Sequence, residues 1–279
     1  VTAGQMLAAA LALAGGAGAA LAQEAMYTAA ATMPSPGTGI VRPQLHIYRF
    51  GENPTTDVES TTIYEAETSI AYGIARDFAG YLVVPLQYEV DELENGDEDD
   101  DKGVDDLEAM LKWRFYKDDS GGLDTLRAAL IVGAAFASGD DDDFSSGSVN
   151  PRVGAVVTSV QGRHGFNQDL SYQWNTGGDA EDNFGGEGPD DAIRAGSAYV
   201  YRIAPVAYTA DSKGAWYLTA EVNTLYETGG DVDVRFAPGI MYEGWRWAIE
   251  VMGQLPIYQD VDERPEFEWG IGVGVRFSF

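Results

Sequence analysis

Apolar and polar residues alternate with a period of two through most of this chain, most regularly at its end. In Glu266 to Phe279, the odd positions Phe267, Trp269, Ile271, Val273, Val275, Phe277 and Phe279 are apolar. The even positions Glu266, Glu268, Gly270, Gly272, Gly274, Arg276 and Ser278 are small or polar. That alternation predicts a strand with one apolar face. Its aromatics sit at both ends of that face and its aliphatics in the middle, as in a strand that crosses a bilayer between two aromatic girdles. A soluble sandwich or lipocalin-like barrel would instead turn the apolar face inward, but the rest of the chain repeats the pattern in membrane-sized pieces.

The repeats are Ile40–Phe50, Thr61–Arg76, Tyr81–Val90, Leu107–Tyr116, Leu123–Ala137, Pro151–Val160, Gly165–Asn175, Ala192–Ala204, Trp216–Glu227, Val232–Tyr242, Trp245–Tyr258 and Glu266–Phe279. They predict an all-β fold, a single antiparallel transmembrane β-barrel of about 12 strands, the even number bacterial barrels require. Taken alternately, the connections fall mostly into two classes. Those at 77–80, 117–122, 161–164 and 243–244 are short, whereas 91–106, 138–150 and 176–191 are long and acidic. Short periplasmic turns and long outer loops have this arrangement. The stretch 206–214 is the exception, long for a periplasmic turn.

Two N-terminal segments stand apart. Residues 1–22 are rich in Ala, Leu and Gly and end in Ala20-Leu21-Ala22, the pattern of a secretory signal peptide, though no Lys or Arg precedes the apolar run. Residues 23–39 have no periodicity and carry two prolines, Pro34 and Pro36. They read as a periplasmic lead-in or a plug entering the lumen, with the barrel occupying 40–279. Export followed by a barrel pattern predicts the cell outer membrane, with lipid and lipopolysaccharide around the wall. The terminal strand is then the contact for the barrel-assembly machinery.

Composition narrows the function classes. Forty-five acidic residues against 17 basic give a net charge of −28, which excludes nucleic-acid binding through phosphate neutralisation. There is no cysteine, so no disulfide or thiolate chemistry. After residue 22 no apolar run approaches the ~18 residues of a transmembrane helix. A lipid-embedded chain of this kind must close into a barrel.

The polar faces are unusually charged. The residues predicted to line the lumen are Glu65, Glu67, Glu89, Glu108, Lys112, Arg114, Arg127, Arg194, Arg202, Glu221, Arg235, Arg246, Glu250 and Arg276, with Asp169 and Asp233 on the same faces. They would build an ion-pair lattice, a polar path for a small-molecule solute, or both. Catalysis is not predicted. The only histidines are His46 and His164, with no nucleophile motif beside them and no G-x-S-x-G, H-E-x-x-H or phosphate-loop pattern. The run from Asp97 to Glu108 places Asp97, Asp99, Asp101 and Asp105 at positions 1, 3, 5 and 9 of a calcium-loop frame. Lys102 occupies the position that needs Gly, so these are weak metal candidates. The run reads first as a solvated loop, and second as a surface loosely associated with divalent cations. No cofactor is predicted.

Two stretches resemble a known family, the outer-membrane "transporter" proteins of a proposed MetA pathway of phenol degradation. Ala71-Tyr72-Gly73-Ile74-Ala75-Arg76-Asp77 followed by Val83-Val84-Pro85 is similar to that family's YGL-x-[DR]…VP hairpin. Met33 to Ile40 is similar to its lead-in. The resemblance implies a barrel of this size that passes small, aromatic or apolar compounds. It assigns no binding residues. The competing reading is a closed structural or adhesion barrel whose acidic outer loops bind cations or a surface partner.

Overall fold

The computed structural model describes residues 24–120, 123–140, 144–177, 184–209, 211–262 and 264–279. The signal-like segment 1–22 and Asp141–Asp143 lie outside them. The strands, in order, are β1 (Gly39–Phe50), β2 (Val58–Ala75), β3 (Phe78–Val84), β4 (Leu86–Leu93), β5 (Glu98–Val104), β6 (Leu107–Ser120) and β7 (Asp124–Phe136). They continue with β8 (Asn150–Gln161), β9 (His164–Gln173), β10 (Ala192–Ala204), β11 (Gly214–Glu227), β12 (Val232–Gly244), β13 (Trp247–Asp260) and β14 (Phe267–Ser278). All pair antiparallel, and β1 bonds to both β2 and β14, which closes the sheet.

β3 and β4 are one barrel strand interrupted at Pro85, whose missing N–H removes a rung of the ladder. β5 and β6 are likewise one strand interrupted at Asp105-Asp106. Both β3 and β4 bond to β2, and β6 and β5 bond to β3 and β4 respectively. The fourteen segments therefore make a 12-stranded antiparallel closed barrel. The acidic run expected as a loop is instead mostly strand: Glu98–Val104 pairs with Leu86–Glu92 in a hairpin.

Alternation sorts the side chains between lipid and lumen. Leu111, Leu130, Val132, Leu170, Leu218, Ile249, Val251, Ile271 and Val273 point outward and form an apolar belt. Rings border it. Phe78 stacks on Trp113, and Tyr242 contacts both Trp216 and Trp247, at the short-turn end. Tyr64–Tyr88 and Tyr172–Trp174 lie toward the long loops. A closed barrel with an aliphatic belt between aromatic girdles is a membrane-spanning wall.

The β1–β14 seam shows why the last strand is rich in glycine. Outward, Leu45 faces Val273 and Ile47 faces Ile271; inward, Gln44, His46 and Tyr48 face Gly274, Gly272 and Gly270. Each large inward side chain thus meets an empty position. At the start of β14 the alternation breaks. Phe267, expected toward lipid, is 1% exposed and packs inside against Phe50 and Tyr48. The register shift at Arg49/Phe50 accounts for it, because a bulge turns the following side chain to the other face.

Candidate functional site

Residues 24–38 precede β1; 24–34 run inside the barrel and are mostly buried, whereas Ser35–Gly37 are exposed. An irregular backbone inside a lumen must have its polar groups satisfied by the wall. Here strands on every side do so. The Glu221 carboxylate on β11 accepts the backbone N–H groups of Met26, Tyr27 and Thr28 at 2.9, 3.2 and 2.7 Å. Asp169 on β9 accepts from Ala29 at 2.7 Å, and Thr158 on β8 from Ala31 at 2.8 Å. From the opposite wall, Lys112 Nζ donates to the Ala30 carbonyl at 2.7 Å and Arg42 to the Ala25 carbonyl at 2.9 Å. Arg276, fully buried, pairs with Glu24 at 2.8 Å.

Glycines make room for this segment. A Cβ at Gly272 would stand 2.6 Å from Met26 Sδ, and one at Gly73 would stand 2.1 Å from the Ser35 carbonyl oxygen. The second contact lets the chain lie directly on β2 before it turns into β1, with Pro36 bridged to Gly73.

The segment divides the interior. Toward the long loops is a cavity of about 1060 Å³, floored by Tyr27 and Ala29. A smaller space of about 350 Å³ lies between the segment and the β1–β3 wall, lined by Glu67, His46 and Tyr81. Toward the short turns, Tyr217, Met241, Val200, Ala215 and Ala248, on the neighbouring strands β10–β13, pack together with Ile40 of β1 against them.

Loop residues 144–147, with Phe184, Gly185 and Glu187, line the larger cavity. Residues 138–139 and 145–146 are fastened by Asp106, whose carboxylate accepts from the N–H groups of Ser138, Gly139 and Ser146 and the hydroxyls of Ser145 and Ser146, at 2.6–3.1 Å. Phe184 packs against Phe50, and the Gly186 N–H donates to Glu227, which also pairs with the buried Arg264. Asp105, at the mouth beside these residues, accepts from the Gln87 side-chain amide at 2.6 Å.

The predicted lumen residues divide by role. Glu221, Lys112 and Arg276 hold the segment, and Glu250 pairs with Arg42 at 2.7 Å beside it. Glu108 pairs with Arg152, and Arg235 with Asp233 while lying over the Phe267 ring. Glu65, Glu89 and Arg194 line the larger cavity, and Glu67 the smaller. Arg114 pairs with Asp77, Arg127 with Asp119, and Arg202 lies over Tyr208, all at the short-turn end. Arg246 sits in the turn between β12 and β13, outside the strands.

Of the metal candidates, Asp99 and Asp101 lie on β5, Asp97 in the hairpin turn and Asp105 at the mouth. A strand cannot wrap an ion as a calcium loop does. Among the described residues no group of three or more His, Cys, Asp or Glu is placed to hold a metal. His46 stacks on Tyr48 and meets the Tyr27 hydroxyl, with ring partners rather than a nucleophile.

Sequence reasoning did not single out Arg42, Arg152, Gln254 or Glu187. Arg42 and Arg152 each adjoin a proline at a strand start, where alternation is hard to phase. Glu187 is in a loop, where periodicity carries no information.

These features define a closed 12-stranded transmembrane β-barrel with an internal segment across its lumen. No protein-family model matches the chain, and no curated protein matches it. Its fold is similar to the crystal structure of an outer-membrane channel from Pseudomonas putida F1, at 12% identity and a TM-score of 0.60 over 92% of this chain and 100% of that one. Lesser likenesses extend to the NanC porin (12% identity, TM-score 0.49, 85% and 98% covered) and the β-domain of the Bordetella autotransporter BrkA (12%, 0.49, 88% and 100%). At such identities the likeness is one of fold.

Proposed function

We propose that the chain is an outer-membrane channel for small molecules whose path is controlled by residues 24–38. The observation that carries this is the cavity of about 1060 Å³ whose floor is an irregular segment held by side chains, not by a sheet ladder. A floor of that kind can be displaced while the wall keeps every inter-strand hydrogen bond. Solute would enter from the long-loop side, collect in the cavity and pass when the segment shifts.

Rings of Tyr48, Phe50, Phe144 and Phe184 face that cavity, which suits compounds with an aromatic or apolar body. This agrees with the resemblance to the phenol-pathway transporters. In this reading residues 1–22 direct export, lipopolysaccharide surrounds the outer rim, and the β14 strand is read by the assembly machinery.

The buried cluster of Tyr217, Met241, Val200, Ala215 and Ala248 at the short-turn end favours the second reading, a closed structural barrel. Solute flux into proteoliposomes separates the two. The channel reading requires flux of small aromatic solutes above that of protein-free vesicles, and a further rise when residues 24–31 are deleted. Flux at the protein-free level in both proteins supports the closed barrel.

A further inference from the structure

We propose that the long-loop cavity is a binding site for small aromatic compounds bearing a protonated amine. The proposal rests on the channel reading for its biological use, but the binding itself does not depend on conduction.

The first observation is the sign of the unmet hydrogen-bonding groups. Three residues lining this cavity carry a buried side-chain atom with no partner among the described residues: Asn223 Oδ1, Asp233 Oδ1 and Gln254 Oε1. Every one is an acceptor. Asp233 is 1% and Gln254 5% exposed, so bulk water does not serve them. Buried acceptors left unpaired are costly, and a ligand that brings donors relieves that cost.

The second observation is charge. Of the three arginines that line the cavity, Arg152 and Arg235 are neutralised by carboxylates, and Arg194, which hydrogen-bonds neutral oxygens, has the Glu187 charge beside it. Arg152 binds Glu108 and Gln173, Arg194 binds Gln173 and the Gly186 carbonyl, and Arg235 binds Asp233 through its other oxygen. Glu65, Asp105 and Glu187 line the same cavity, and none of them forms an ion pair among the described residues. An anion entering here would meet carboxylates and lone acceptors. An ammonium group, with three donors and a positive charge, matches both.

The third is the ring wall of Tyr48, Phe50 and Phe184, which supplies faces for an aromatic body and for the cation itself. Asp233 and Gln254 lie on β12 and β13, whereas Glu65 is on β2 across the β1–β14 seam. Acceptors and carboxylates therefore approach the cavity from both sides of the rings.

The test is calorimetric titration of the folded full barrel in detergent at pH 7.5 with three probes of one shape: benzylammonium, benzyl alcohol and benzoate. The proposal requires benzylammonium to bind at least about tenfold more tightly than benzyl alcohol, with benzoate weakest. In the Glu65→Gln/Asp105→Asn double variant the preference for the amine over the alcohol should fall severalfold. Gln254→Leu, whose new side chain is apolar and similar in size, should lower amine affinity alone. Equal affinity for amine and alcohol in the unaltered protein overturns the proposal, and so does a preference for benzoate. Both of these results come from the parent protein and need no variant to fold. A silent barrel that still prefers the amine refutes the channel reading and keeps the site; a conducting barrel without the preference does the reverse.

Discussion

The Glu221 carboxylate of β11 receives the backbone N–H of Thr28 at 2.7 Å, across 193 residues of sequence. It also receives those of Met26 and Tyr27, so one side chain caps three successive amides of the luminal segment. Hydrogen bonds to a charged group contribute about 1.5–3 kcal/mol each. Glu221→Gln keeps one acceptor oxygen and the volume but removes the charge. We expect amide exchange at Met26 to Thr28 to speed up at least tenfold, with exchange in β11 unchanged. Unchanged exchange at these amides would show that Glu221 does not hold the segment.

Gly272 makes the space for Met26, since a Cβ there would meet its sulfur at 2.6 Å. Gly272→Leu should therefore dislodge the segment while leaving the lipid face of β14 intact. The expected outcome is heat-modifiable migration like the parent's, together with faster protease cleavage between residues 24 and 38.

Little of that segment could be read from the sequence, and the reason is physical. Strands announce themselves because lipid on one side and lumen on the other impose a period of two. Hence Thr61–Arg76 could be phased, with Tyr64, Ile70 and Tyr72 outward and Glu65 and Glu67 inward. Residues 24–38 have no second face. Their amides are satisfied by Glu221, Asp169 and Thr158, residues 127–195 positions away, and no local pattern encodes such partners. The acidic hairpin was missed for a related reason. Glu98–Asp101 is polar on both faces, so alternation could not reveal a strand. Phe267 was assigned to the wrong face because a bulge resets the period without altering composition.

The Asp106 carboxylate at the mouth sets a further test. It accepts from Ser138, Gly139, Ser145 and Ser146 and so ties residues 144–146 to the start of β6. Asp106→Ala should speed limited proteolysis at residues 144–149 at least severalfold while cleavage between residues 24 and 38 stays at the parent's rate. Unchanged cleavage at 144–149 would show that Asp106 does not fasten them.

The apolar belt sets a separate test of the wall. Val251 faces lipid midway along β13, with Ile240 and Val273 opposite it on the neighbouring strands. Val251→Lys should destabilise the barrel by about 2–4 kcal/mol, the cost of a basic side chain near the bilayer midplane. Met252, the next residue, points inward and is buried against Ala237 and Met26. Met252→Leu should cost under about 1.5 kcal/mol, as volume-conserving apolar exchanges do. Urea unfolding in lipid vesicles gives both values, and similar costs at the two sites would contradict the assigned faces.

Single-channel recording in planar bilayers, comparing the parent barrel with a variant lacking residues 24–31, tests the central claim most directly. If the segment controls the path, the parent shows rare or small openings and the truncated barrel conducts in steps at least several times larger. Equal conductance in the two proteins, with both shown to be folded by heat-modifiable migration, would contradict control by the luminal segment.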